Sequence, residues 1–135
     1  MSFQPEEFYK VAKALKDGVV VPGGEGRYRT TAGRAYYSVY WATCIEICKK
    51  FRVNPPKDLP HEALSTKLAS TQGDADVRKF GDLLNGLRLG RIHADYKMER
   101  PLDETLADDA VDDAKEALAL LPSVASRLPR VDPAY

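Results

Sequence analysis

The sequence predicts an all-α protein: an up-and-down helical bundle of four main helices plus one short helix. Three observations carry this. Apolar residues recur at three- and four-residue spacing in five separate segments. Prolines and glycines stand between those segments. The one run that invites a strand, Val19 to Val21, has no partner strand elsewhere in the chain.

The first helix begins at Pro5 and covers "EEFYKVAKALKDG". Proline suits a helix's first turn, and Glu6 and Glu7 favour its positive end. Phe8, Val11, Ala12 and Leu15 mark its apolar side, and Gly18 stops it. "VVVPGGEG" reads as a loop.

The second helix spans about Gly26 to Arg52. Tyr36, Tyr40, Cys44, Ile47, Cys48 and Phe51 line one face, and Tyr37, Trp41 and Ile45 broaden it. A helix apolar around most of its girth is buried on several sides, in a bundle centre or in a bundle plus a subunit interface. The aromatic residues Tyr36, Tyr37, Tyr40 and Trp41 are therefore expected in core or dimer contact rather than as a base-stacking platform. Arg27, Arg29 and Arg34 are expected at a solvated helix start. "NPPKDLP", Asn54 to Pro60, breaks the helix.

"HEALSTKLAS" forms the short third helix, with His61 at its start as a surface or capping group. The fourth begins near Asp74, which can cap it. It turns Val77, Phe80, Leu83, Leu84, Leu87 and Ile92 inward. The fifth is capped by Asp103 and carries Leu106, Ala110, Val111, Ala114, Ala117, Leu118 and Leu121 on one side. Its acidic first half suits the helix dipole, and the acidic face reads as solvated. Residues 1–121 form the bundle domain. Residues 122–135 form a proline-containing tail that wraps the surface or is disordered.

Composition narrows the function classes. The chain has 135 residues, of which 44% are hydrophobic and 30% charged, which suffices for one core and a polar surface. The formal net charge is zero, so any binding to nucleic acid must come from a local patch. The amino end lacks the basic start and apolar run of a secretory signal. The longest uncharged run, Ala35 to Ile45, is about half the ~20 residues that a membrane helix requires. Cys44 and Cys48 stand four apart on one helix, a poor geometry for a disulfide, and suit apolar packing in a reducing cytoplasmic setting. No Cys/His ligand cluster is present, so no metal and no cofactor is expected.

The densest functional cluster is "RLGRIHADY", Arg88 to Tyr96. On an ideal helix Arg88, Arg91 and Asp95 share a stripe, which an ordinary Arg–Asp pair would explain. His93 lies about 140° around from Arg88 and shares a stripe with Asp82, Gly86, Leu89, Gly90 and Lys97. Each interior glycine costs roughly 1 kcal/mol relative to alanine. Two of them one turn apart suggest close approach of another backbone or of a phosphate-bearing substrate.

"RAYYSVYWA" (Arg34 to Ala42), with "LRLGRIHADY" (Leu87 to Tyr96) and "RPLDETLADDAVDDAKEAL" (Arg100 to Leu118), resembles the HEPN family of higher-eukaryote and prokaryote nucleotide-binding domains. The likeness covers roughly residues 5 to 121. It implies a helical bundle that dimerises, here through the second and fourth helices. Many members are metal-independent ribonucleases of toxin–antitoxin or defence systems, with an arginine four to six residues before a histidine. Arg88 and His93 fit with four residues between. The resemblance thus implies Arg88 on the scissile phosphate and His93 as acid/base, completed across a homodimer acting on RNA. Arg91 and Lys97 would orient the backbone. Such chemistry is sound: an imidazole moves a proton near neutral pH, and a guanidinium stabilises a phosphorane.

The sequence departs from the family at two points. Leu89 follows Arg88 where active members often carry a polar residue. In related toxins a tyrosine two residues after the histidine is modified by a partner nucleotidyltransferase; here Tyr96, the candidate for such modification, stands three after. The alternative is a catalytically silent dimerisation module that partners a nucleotidyltransferase or another protein.

Overall fold

The computed structural model of the chain describes residues 5–16, 25–96 and 104–133. These form five α-helices: α1 (Pro5–Lys16), α2 (Glu25–Lys50), α3 (His61–Ala69), α4 (Ala75–Tyr96) and α5 (Glu104–Val124). A 3-10 turn, Ala125–Arg127, follows, and the described residues contain no strand. No helix among them is long and apolar enough to cross a membrane.

Helix α2 is the hub. It packs against α1, α4 and α5, while α3 lies mainly on α4. Its inward residues Tyr36, Val39, Cys44, Ile47 and Cys48 are essentially inaccessible to solvent. Helical polarity inside the bundle is absorbed locally, since the buried Ser38 and Thr43 hydroxyls donate to the Ala35 and Val39 carbonyls. Both cysteines are free and buried. Burial pushes the Cys44 thiol up to about 12, so it packs as a neutral group.

The helix ends follow local chemistry. α2 stops through Arg52, which takes a left-handed backbone (φ 62°) while the Val53 N–H bonds back to the Cys48 carbonyl at 2.8 Å. Asp74 caps α4, its Oδ1 accepting from the Val77 N–H at 3.1 Å. The same carboxylate holds Arg127 at 3.1 Å, tying the far end of the chain to the start of α4.

Three expectations change. Helix α5 does not stop before Pro122 but runs through it to Val124. A proline interrupts a helix only by its missing N–H and its clash with the preceding turn, and packing of this last turn outweighs both. Residues 125–133 are neither loose nor merely superficial: Val124 and Leu128 are fully buried and Val131 nearly so. Lys50 and Lys67 donate to the Leu128 and Arg130 carbonyls at 2.7 and 2.6 Å. Leu106, assigned to the inner side of α5, is 43% exposed.

Helices α3 and α4 run antiparallel in a defined register. A Cβ on Gly81 would overlap the Ala69 backbone nitrogen and lie 2.7 Å from its Cα, so only glycine permits this approach. One turn further along, the Ser65 hydroxyl donates to Asn85 Oδ1 at 3.2 Å. Ala69 is thus level with Gly81 and Ser65 with Asn85, which sets His61 level with Arg88 and Leu89.

Candidate functional site

That register builds a site at the first turn of α3. Tyr36 and Tyr40, four residues apart on α2, present stacked rings with centroids 5.6 Å apart. The segment after α2 returns along the helix and is pinned where the Tyr40 hydroxyl donates to the Leu59 carbonyl at 2.7 Å. His61 then stacks on Tyr40, with ring centroids 4.2 Å apart and planes at 18°. Its Nδ1 meets the Tyr36 hydroxyl at 2.5 Å. Tyr37 stands edge-on to His61 at 6.1 Å.

Helix α4 adds the positive charge. The Arg91 guanidinium lies over the Tyr37 ring, 5.1 Å from its centroid. Arg88 is held through Nε and Nη2 to Asn85 Oδ1, at 3.3 and 3.1 Å. The same Asn85 oxygen takes the Ser65 hydroxyl, so one amide fixes Arg88 against α3. His61, Tyr37, Asn85, Arg88 and Arg91 are all half-buried, so the cluster is open to solvent on one side.

The electrostatics follow from these positions. Burial, and then the Arg91 charge, lower the His61 pKa; Arg88 adds to this and Asp58 opposes it. Burial raises the Tyr36 phenol far above its ordinary range. Both groups are therefore neutral at physiological pH.

Helix α4 separates the two motif residues within one chain. Arg88 and Arg91 serve the His61 flank. His93 instead lines a cavity of about 240 Å³ between α2, α4 and α5, with Ala32, Gly86, Leu87 and Gly90. Asp109 and Asp113 line the same cavity. Burial, followed by Asp109 and other nearby carboxylates, raises the Asp113 pKa. Gly86, Leu89 and Gly90 form a ridge along the His93 side of α4. A Cβ on either glycine would meet nothing within 4 Å, and Leu89 is 52% exposed. The side chains of Asp95 and Tyr96, and all of Lys97, lie outside the described residues.

One arginine expectation differs. Arg29 is not solvated: it is buried, and its Nη1 donates to the His93 carbonyl at 3.2 Å. Arg34 is exposed, as expected, and the Arg27 side chain lies outside the described residues. His61 neither caps α3, whose first turn has no side-chain cap, nor lies loose on the surface. A signal for its position existed. Residues 51–60 can reach about 33 Å when extended. Tyr36 to Tyr40 lie only about 18 Å back along α2 from its end, so the start of α3 falls within reach of them.

Among the described residues, no group of three or more histidine, cysteine or acidic side chains could hold a metal ion. No family model, curated protein or solved structure compared with the chain matches it.

Proposed function

We propose that the chain is a HEPN-like, metal-independent endoribonuclease of a toxin–antitoxin or defence system that works as a homodimer. Arg88 of one copy holds the scissile phosphate and His93 of the other is the acid/base. The observation that supports this reading is the layout of α4. Arg88 and His93 sit on different flanks of one helix, and a ridge of Gly86, Leu89 and Gly90 runs along the His93 side. About 140° of helix rotation separates the two within one copy, whereas two copies packed ridge to ridge would offer the arginine of each to the histidine of the other. Glycines at the contact allow the backbones to approach closely.

In the reaction the ribose 2′ oxygen attacks phosphorus and its proton passes to a His93 imidazole. The bond to the 5′ oxygen breaks, and that oxygen takes the proton back from the imidazolium so formed. The products are a 2′,3′-cyclic phosphate and a 5′-hydroxyl. Arg88, with Arg91 beside it, stabilises charge on the phosphorane. Lys97 would steady the strand, and Tyr96 is the candidate for modification by a partner nucleotidyltransferase.

The test is incubation of the purified protein with RNA in EDTA, beside Arg88→Ala and His93→Ala. Cleavage leaving cyclic phosphate ends, lost in both variants and restored when the two variants are mixed, supports a shared site. An inactive wild type, or equal activity in the variants, removes it.

A second reading, a catalytically silent module that partners a nucleotidyltransferase, is favoured by one observation. Asp109 and Asp113 line the His93 cavity and repel a polyanion. Under it the wild type leaves RNA intact and co-elutes with a nucleotidyltransferase encoded beside it.

A further inference from the structure

The Tyr36–His61 contact fixes which imidazole nitrogen carries the proton. Tyr36 is fully buried, and His61 Nδ1 is the only hydrogen-bond partner of its hydroxyl among the described residues. A buried phenol stays protonated and must place its proton somewhere. Tyr36 therefore donates, Nδ1 accepts, and the proton of the neutral ring sits on Nε2.

That proton defines what the open side of the cluster offers. Nδ1 faces the core, so Nε2–H faces away from Tyr36, and no described residue accepts from it. Level with it on α4 stands Arg88, whose Nε and Nη2 are held by Asn85. Arg91 comes in over Tyr37. Two guanidinium groups and one imidazole N–H thus converge on a half-open face. Among the described residues, the charged groups that act on His61 are these arginines from α4 and Asp58, an exposed residue of the segment before α3. The hydroxyls of Tyr36 and Tyr40 point inward to His61 and Leu59. A surface that gathers imidazole and guanidinium donors suits a tetrahedral oxyanion.

We propose that His61 Nε2–H, Arg88 and Arg91 form a phosphodiester-binding site within a single subunit, in which the imidazole acts as a neutral hydrogen-bond donor. This site rests on the part of the functional reading that puts RNA phosphate on the Arg88 flank. It gives that flank a substrate contact that the Arg88–His93 pair does not include, and it needs no second copy. His61 binds the phosphate while the proton transfers remain with His93.

The test separates binding from cleavage by using a 2′-O-methyl oligouridylate, which has no 2′-hydroxyl to attack with, at pH 7.5. Inorganic phosphate in a parallel titration distinguishes a strand site from a free-phosphate site. In the wild type, imidazole ¹⁵N spectra should show His61 Nδ1 unprotonated and Nε2 protonated. The oligonucleotide should shift the Nε2 signal, and inorganic phosphate should do so only weakly. His61→Asn keeps an oxygen for the Tyr36 hydroxyl but loses the outer donor, and should weaken binding about tenfold. His61→Gln, which puts an amide N–H near the Nε2 position, should recover part of that loss.

A protonated Nδ1, an Nε2 signal that does not move, or wild-type affinity in His61→Asn would each overturn the proposal; the spectra need no variant to fold. Inorganic phosphate binding as tightly as the oligonucleotide would overturn the strand assignment. If the protein binds the oligonucleotide through His61 yet leaves RNA uncut, the cleavage reading fails and this site stands. If RNA is cut while Nε2 stays silent, the reverse holds.

Discussion

The Tyr36 hydroxyl and His61 Nδ1, 2.5 Å apart, join the middle of α2 to the first residue of α3. The bond is buried on the tyrosine side and half-open on the histidine side. Tyr36→Phe removes the donor and leaves Nδ1 unsatisfied, which should cost about 1 kcal/mol in chemical denaturation. The phenol favours neutral imidazole, so its loss should also raise the His61 pKa toward the ordinary histidine value. Following the His61 ring protons by NMR against pH checks this; an unchanged titration would show that Tyr36 does not donate.

The lowered His61 pKa sets a direction for stability against pH. The folded protein binds the His61 proton less readily than the unfolded chain, whose histidine titrates at 6.5. The contribution is complete above that value. It declines as pH falls from 6.5 towards the folded-state pKa and levels off below it. Denaturation midpoints at intervals between pH 7.5 and 5 should show this decline in the wild type and a flatter profile in His61→Asn. Parallel profiles would mean that other groups carry the acid sensitivity.

Glycines on α4 divide into two kinds, and alanine scanning should separate them. Gly81→Ala forces a Cβ onto the Ala69 backbone and should destabilise the fold by about 1–3 kcal/mol, with α3 and α4 pushed apart. Gly86→Ala and Gly90→Ala place a methyl in open space and should each stabilise the monomer by roughly 1 kcal/mol. If the ridge is the contact between copies, these same two changes should weaken self-association in sedimentation velocity. Unaltered association would place the contact elsewhere.

The carboxyl-terminal segment should behave as core. Leu128 is fully buried, so Leu128→Ala should cost about 2–5 kcal/mol. Arg130→Ala should cost little, because its side chain is exposed and its carbonyl, which holds Lys67, is retained. Equal tolerance of both changes would show that the segment does not contribute to the fold.

Much of this bundle was legible because local chemistry wrote it. The apolar spacing of α2, the Asp74 cap and the break at Asn54 to Pro60 each depend on residues a few positions apart. What escaped depended on distant partners. Pro122 reads as a stop until the buried Val124 and Leu128 beyond it are seen to hold the last turn. Arg29 reads as solvated until the end of α4 receives it. The Arg88 and His93 spacing was visible, and so was the 140° between them, but not which neighbour each flank would meet. His61 was the larger miss. A lone histidine after a proline carries no periodic signal, and its importance arises only where the turn beyond α2 folds back and Gly81 lets α3 settle onto α4.

The antiparallel register of α3 on α4 makes the second of these helices a ruler. From the Gly81 contact, seven residues of α4 measure out the height at which Arg88 stands beside His61. One residue inserted into that interval would swing everything beyond it by about 100° and lift it by about 1.5 Å. The arginines would turn away from the imidazole although no side chain had been altered. Length between these two marks is therefore under as much constraint as the chemistry at either end.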